Sequence, residues 1–281
     1  MTQPPHVNSG AALTAPVAAL RDFLRLWRAR APGDGWSVAR DRAAILGGLA
    51  AVAAMAALLL GLAWLVDERA ARFARTLSGS VVKLFDLVTR LGASGWLFAA
   101  SMLVAIVASI LAVRAARPRL RAGFQVLAAR AFYVFVVLAA SGLMSQIIKR
   151  VVGRARPKLI DTAGPFHFDG FSIHATLASF PSGHTTTAFA VATALSFFLP
   201  RWQAPLFVVA AAVGLSRVIV GAHYASDVFG GVAVGTLVAI AVARAFARRD
   251  IVFTTDRGRL ERRGEGLVGL ALRSLFARNA T

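Results

Sequence analysis

Residues 205–247 read PLFVVAAAVGLSRVIVGAHYASDVFGGVAVGTLVAIAVARAFA, an apolar run holding Arg217, a polar break holding His223 and Asp227, and a second apolar run. Apolar runs of this length read as membrane-crossing helices, and the break between them as a turn at the membrane surface. Working outward, the same reading applies to residues 43–66, 92–113, 131–148 and 185–199, which with 205–220 and 228–247 gives six spans. The fourth and fifth are shorter than the roughly 20 residues a crossing needs, so their ends extend into flanking turns or tilt. With 57% hydrophobic residues over 281, the expectation is an all-α, six-transmembrane-helix bundle rather than a soluble enzyme.

Orientation follows from arginine. The N-terminal segment, the loops after the second and fourth spans and the C-terminal tail carry most of the 32 basic residues, and residues 114–130 hold five arginines and no acid. That side is read as cytoplasmic, with both termini inside. About forty polar and mixed residues precede the first apolar run, and that run is longer than a signal-peptide core, so it reads as an anchor. Three polar clusters then fall together on the opposite face, at the end of span three, the start of span four and between spans five and six. In a bacterium this makes a multi-pass protein of the cytoplasmic (inner) membrane with a periplasmic site.

The clusters carry chemistry suited to a phosphate. His223 and Asp227 are four apart, so on a helix the carboxylate reaches the imidazole, fixes its tautomer and leaves the other nitrogen free to attack. An HxxxD spacing alone is commonly a plain polar pair, and its neighbours give it weight. Pro181-Ser182-Gly183-His184 precedes an apolar run, so Ser182 reads as an N-cap and Gly183 as a close-approach position at a helix N-terminus, where N–H groups favour an anion. His184, protonated there, suits a general acid. Lys149 and Arg156 are seven apart and share a face if residues 149–155 are helical. Arg150 and Arg154 read as interfacial anchors, whereas Arg217 lies inside an apolar run and needs an anion to face.

The residues KxxxxxxRP (Lys149, Arg156, Pro157), PSGH (Pro181 to His184) and SRxxxxxHxxxD (Ser216, Arg217, His223, Asp227) together resemble the type 2 phosphatidic acid phosphatase family, which shares its site with vanadium haloperoxidases. The resemblance covers roughly residues 131–249, with no departure at a motif position. It implies that His223 attacks phosphorus to form a phosphohistidine, that Asp227 orients it and that His184 protonates the leaving group. Lys149, Arg156, Ser182, Gly183 and Arg217 are implied to hold the phosphoryl oxygens, without metal or cofactor. Fixed cations and N–H groups can stabilise the developing charge as a metal would.

The function expected is therefore removal of phosphate from a lipid phosphate monoester or diphosphate: phosphatidate, phosphatidylglycerophosphate, undecaprenyl diphosphate or lipid A. A lipid phosphotransferase working through the same phosphohistidine is the near alternative, and a vanadium-dependent haloperoxidase the distant one, since those relatives are largely soluble. The net charge of +19 is divided among membrane-flanking segments, which fits anionic lipid heads rather than nucleic acid. There is no cysteine, which excludes disulfides and thiol catalysis.

The remaining segments read more plainly. Val81, Leu84, Phe85 and Val88 recur at helical spacing, suggesting an amphipathic helix on the outer face, either a lateral gate or a buried packing surface. Phe166, Phe168, Phe171 and Phe180 in the loop 159–180 suggest seating at the membrane interface. Gly231 and Gly235 form a small-xxx-small pair for helix packing. His6, His167 and His174 receive no catalytic role. Residues 1–42 form an N-terminal cytoplasmic segment, 43–249 one membrane domain and 250–281 a basic cytoplasmic tail, whose apolar stretch 267–275 suits a helix on the inner leaflet.

Overall fold

The computed structural model describes residues 42–256, 259–262 and 264–277; the N-terminal segment with His6 lies outside them. Helix α1 (Arg42–Leu62) passes through a π-helical turn, Ala63–Asp67, into α2 (Glu68–Ala74). There follow α3 (Gly79–Arg90), α4 (Ser94–Arg114), α5 (Pro118–Val152), the short α6 (Ile160–Ala163), α7 (Gly183–Ser196), α8 (Gln203–Ile219) and α9 (Ala225–Ala247). Strands β1 (Phe253–Asp256) and β2 (Arg259–Arg262) form an antiparallel hairpin before α10 (Glu265–Ala277).

Among the described residues, five helical stretches are long and apolar enough to cross a membrane: Ala50–Ala74, Gly79–Arg114, Pro118–Val152, Pro200–Ile219 and Ala225–Ala247. The fourth expected span is α7, only 14 residues, or about 21 Å at 1.5 Å per residue. It is walled in by protein, with Thr185, Thr186, Thr187, Ala190, Thr193 and Ala194 buried. A helix inside the bundle need not match the thickness of the lipid core.

The long helices expose large apolar side chains while burying some small polar ones. Ser101, Ser141, Ser145 and Thr193 are buried, while Leu103, Leu143, Ile147, Val208, Leu215 and Leu237 are exposed along the long helices. Such a surface is stable where lipid covers it.

Two expected boundaries moved. The loop 114–130 shrinks to residues 115–117, because Pro118 stands where a helix accepts it, at its first position, and good helix formers follow. The helix expected through residue 155 stops at Val152, because Gly153 adopts φ +59° and turns the chain.

The chain divides into two compact units. One comprises the described residues among 99–135 and 243–277. There Tyr133, fully buried, meets Phe246 and Phe253 edge-on at centroid distances of 5.3 and 5.1 Å. Ala271 of α10 is buried with Ala112 and Phe124, and Gly123 lies so close to α10 that a Cβ there would fall 2.3 Å from the Leu267 carbonyl oxygen. The apolar stretch of the tail thus forms the expected helix, but packs on the start of α5.

The other unit, residues 42–98 and 136–242, holds the three motif clusters. Helices α7 and α8 pack side by side, and α3 packs on α8. Val81, Phe85 and Val88 of α3 are partly buried, while Leu84 and Leu87 stay exposed. Gly231 and Gly235 bring α9 onto α7: a Cβ on Gly231 would fall 2.8 Å from the Ser182 carbonyl oxygen, and one on Gly235 2.4 Å from that of Thr186.

Candidate active site

The site begins where α5 ends. A Cβ on Gly153 would lie 1.6 Å from the Asp169 carbonyl oxygen, so the turn tolerates glycine alone. Beyond it residues 154–156 run extended and the following loop is laced to them. Ala155 N donates to His167 O (3.0 Å), Arg156 N to Thr176 O (2.9 Å) and Ser179 N to Arg154 O (3.0 Å). Lys149, 6% exposed on the last turn of α5, donates from Nζ to the carbonyls of Ala178 (3.0 Å), Ser179 (3.5 Å) and Pro181. Arg156 Nε donates to Ala175 O (2.9 Å) and Nη2 to Ala178 O (3.5 Å). The two cations therefore meet at one carbonyl, brought together by the loop rather than by two turns of helix.

Ser182 occupies the N-cap of α7, as its sequence position implies, but its side chain does not cap the backbone. Its hydroxyl instead accepts from Thr185 Oγ1 (2.9 Å), and its carbonyl takes Thr186 N and Oγ1, both at 2.9 Å. The first N–H groups of α7, at Gly183 and His184, are thus left uncapped by Ser182 for an anion. His184 is half-buried beside them. Burial, together with the charges of Arg217, Lys149 and Arg156, pushes its imidazole down to about 4. Gly92, in the turn between α3 and α4, abuts it: a Cβ there would lie 3.2 Å from His184 Cβ and 2.5 Å from Val213 Cγ1.

Arg217 sits in the last turn of α8, where Nη1 donates to Thr89 Oγ1 (2.6 Å) and Nε is buried without a partner. Gly221 (φ +67°) then turns the chain, and the Arg217 carbonyl accepts from the N–H groups of Ala222 (3.0 Å) and His223 (3.2 Å). His223 is 3% exposed and precedes α9 rather than sharing it with Asp227. The expected pairing arises through capping geometry. Asp227, third residue of α9, accepts at Oδ2 from Tyr224 N (2.9 Å), the reach-back half of a capping box. The same Oδ2 accepts from Ser179 Oγ and stands 3.6 Å from His223 Nδ1, which has no hydrogen-bond partner. Burial outweighs Asp227's opposing pull and pushes His223 down to about 4, so the imidazole is neutral with a free lone pair at pH 7.

Arg154 is not an interfacial anchor. It is 2% exposed and forks between two buried carboxylates, Nη1 on Asp227 Oδ1 and Nη2 on Asp67 Oδ2, each at 2.8 Å. Its guanidinium carbon lies 4.4 Å from the Tyr224 ring centroid. Arg150, by contrast, is exposed and donates only to Ser172 O (3.2 Å). Asp67, Thr89, Ser179 and Ser226 also belong to this network and escaped the sequence reading. Asp67 left a signal there, as the first acid after the apolar run 43–66. Lys149, Arg154, Arg156 and Arg217 set against Asp67 and Asp227 leave two positive charges unbalanced, the charge opposite to that of a phosphate monoester dianion. Around a neutral, oriented imidazole, such a cradle can bind a phosphoryl group and present a nucleophile to it.

A family model described as the PAP2 superfamily matches residues 130–251. The lipid A 1-phosphatase of Rhizobium etli is 36% identical over 176 residues, covering 62% of this chain and 75% of that protein. The lipid A 1-phosphatase of Rhizobium johnstonii is 37% identical over 175 residues, 62% of this chain and 71% of its own length. Among solved structures, the transmembrane PAP2 type phosphatidylglycerolphosphate phosphatase from Bacillus subtilis aligns with a TM-score of 0.48 at 22% identity, covering 88% of this chain and 100% of that one.

Proposed function

The chain belongs to the PAP2 superfamily and is a membrane lipid phosphatase, and from that premise we propose that it acts through a phosphohistidine on His223, with the 1-phosphate of lipid A first among its substrates. The substrate assignment draws on the two Rhizobium relatives. The observation that carries the mechanism is the buried His223, its Nδ1 3.6 Å from an Asp227 carboxylate already held by Arg154, Ser179 and Tyr224.

In the first step His223 Nε2 bonds to phosphorus as the P–O bond to the lipid breaks, and His184 gives its proton to the departing alkoxide. Asp227 holds the Nδ1 proton and offsets the positive charge that builds on the ring. Water then attacks the phosphohistidine, giving its proton to His184 and releasing inorganic phosphate with His223 restored. Arg156, Arg217, Ser182, Gly183 and Lys149 form the phosphate cradle, Lys149 chiefly by holding the Ala178–Pro181 carbonyls and thereby the start of α7. His184 must be protonated to act as an acid, although burial depresses it in the empty site. An arriving phosphate brings negative charge that offsets the cations depressing it.

The arrangement in the membrane is proposed as six crossings, α7 included, with both termini cytoplasmic and the site periplasmic. Its support is the concentration of arginine on the side of residues 114–130 and the tail.

The deciding experiment incubates purified protein with lipid A, phosphatidate, phosphatidylglycerophosphate and undecaprenyl diphosphate. It measures phosphate release and traps radiolabelled, acid-labile phosphoenzyme. Turnover fastest on lipid A, with label absent from His223→Ala, is the expected result. Label retained in His223→Ala would overturn the mechanism, and preference for another lipid the substrate assignment.

A further inference from the structure

We infer that Asp67 is a positioning residue for the His223–Asp227 pair, acting through Arg154 and through the first turn of α9. The inference rests on the catalytic role proposed for that pair. Asp67 closes the π-helical turn at the end of the first long apolar helix and is fully buried. A carboxylate in such a place is costly unless it is met by hydrogen bonds and an opposite charge. Asp67 has all of these. Oδ1 accepts from Ser226 N (2.9 Å), while Oδ2 accepts from Ser226 Oγ and from Arg154 Nη2 (2.8 Å).

Two links run from these contacts to the nucleophile. Ser226 is the second residue of α9, so Asp67 satisfies an otherwise orphan N–H in the turn that carries Asp227. The second link is the guanidinium. Arg154 is planar, and its two ends are fixed on different acids: Nη2 on Asp67, Nη1 on Asp227 Oδ1 (2.8 Å) and on Ser226 Oγ (2.6 Å). Pro165 O accepts from Nε (3.2 Å) and Nη2 (3.0 Å) and completes the seat. With Oδ1 of Asp227 turned toward this fork, Oδ2 faces His223 Nδ1 at 3.6 Å while also accepting from Tyr224 N and Ser179 Oγ.

Charge matters as well as placement. Asp67 shares the Arg154 cation with Asp227. Without it, the full positive field of Arg154 would act on Asp227 and His223. That field opposes the positive charge that develops on the imidazole as Nε2 bonds to phosphorus, so the loss falls on kcat rather than on binding.

The test is a double-mutant cycle on purified protein, using an activated aryl phosphate so that residual turnover is measurable, with thermal unfolding of each variant as a check on folding. Asp67→Asn keeps the shape and removes the charge. It should lower kcat by about 10- to 100-fold with KM within about twofold. In the Asp227→Asn background the same change should cost less than about threefold, because the group it acts through is gone. An equal loss in both backgrounds marks a structural clip and overturns the inference, as does unchanged kcat in Asp67→Asn. Activity surviving in His223→Ala would instead overturn the reading of the site itself. Should Asp67→Asn fail to accumulate, Ser226→Ala removes the hydroxyl between Arg154 and Asp67 and leaves both charges. A kcat loss of about three- to tenfold that collapses in the Asp227→Asn background is then expected, and a loss that persists there overturns the inference.

Discussion

Replacing Gly235 with alanine tests whether the start of α7 and the start of α9 must be held in register for turnover. A Cβ at Gly235 would fall 2.4 Å from the Thr186 carbonyl oxygen and 2.9 Å from Ala190 N, both backbone atoms, whereas ordinary contact begins at 3.4 Å. No rotamer relieves a backbone contact, so the helices must part by about 1 Å, the difference between the two distances. His184 rides on the first turn of α7 and Asp227 on the first turn of α9. A misplacement of about 1 Å between reacting groups costs on the order of 100-fold in rate. Stability suffers less. Overpacking costs about 1–3 kcal/mol, and alanine returns about 1 kcal/mol of helix propensity, so Gly235→Ala should still fold. The assay compares kcat on a short-chain lipid phosphate with thermal unfolding, using as control Gly142→Ala, where a Cβ meets nothing within 4 Å. A folded Gly235→Ala within about threefold of wild-type kcat would refute the reasoning, since the register would then be irrelevant to the rate.

His184→Ala should lose about 100- to 10,000-fold on a lipid alkoxide and regain part of it on an activated aryl phosphate; His223→Ala should regain nothing, and equal rescue of both would contradict the assigned roles. The alkaline limb of kcat should lie at higher pH than that of kcat/KM, because His184, pushed down to about 4 in the empty site, gains protons when phosphate offsets Arg217, Lys149 and Arg156. Coincident limbs would show that bound phosphate does not reach it. Activity should survive EDTA and be inhibited by vanadate, given the cationic cradle; loss in EDTA restored by Mg²⁺ would argue for a metal. Cysteine at Ile173, 79% exposed, should react with an impermeant maleimide in intact spheroplasts and cysteine at exposed Arg121 should not; the reverse pattern would invert the topology. Ser172, its neighbour, is buried and unsuitable.

What the sequence made legible was local or periodic. Apolar runs marked the long helices, but the seven-residue spacing of Lys149 and Arg156 favoured a helix through residue 155, and the C-terminal signal of Gly153 went unread. The proximity of His223 and Asp227 was anticipated for a reason that proved different: a turn and a capping box, not a shared helical face. The Asp67–Arg154 pair joins residues 87 apart. No propensity or period encodes such a pairing, and an arginine near a helix end reads as an anchor until its burial is known. The same holds for Thr89 and Arg217, 128 apart.

The first turn of α9 explains why an acid in the first long helix bears on the nucleophile. Four contacts from three parts of the chain end there. The π-helical turn supplies Asp67 to Ser226, the extended segment after α5 supplies Arg154 to Asp227, the loop before α7 supplies Ser179 to the same carboxylate, and Ser182 N donates to the Asp227 carbonyl (2.9 Å). A helix N-terminus already favours negative charge, so placing Asp227 at its third residue helps to hold the carboxylate ionised. Each contact removes a way for Asp227 to rotate. The 3.6 Å gap to His223 is longer than a hydrogen bond, and on the proposed mechanism it can close as positive charge builds on the imidazole. On the proposed mechanism, a histidine stabilised chiefly as it attacks directs the carboxylate's effect to the transition state rather than to the empty site.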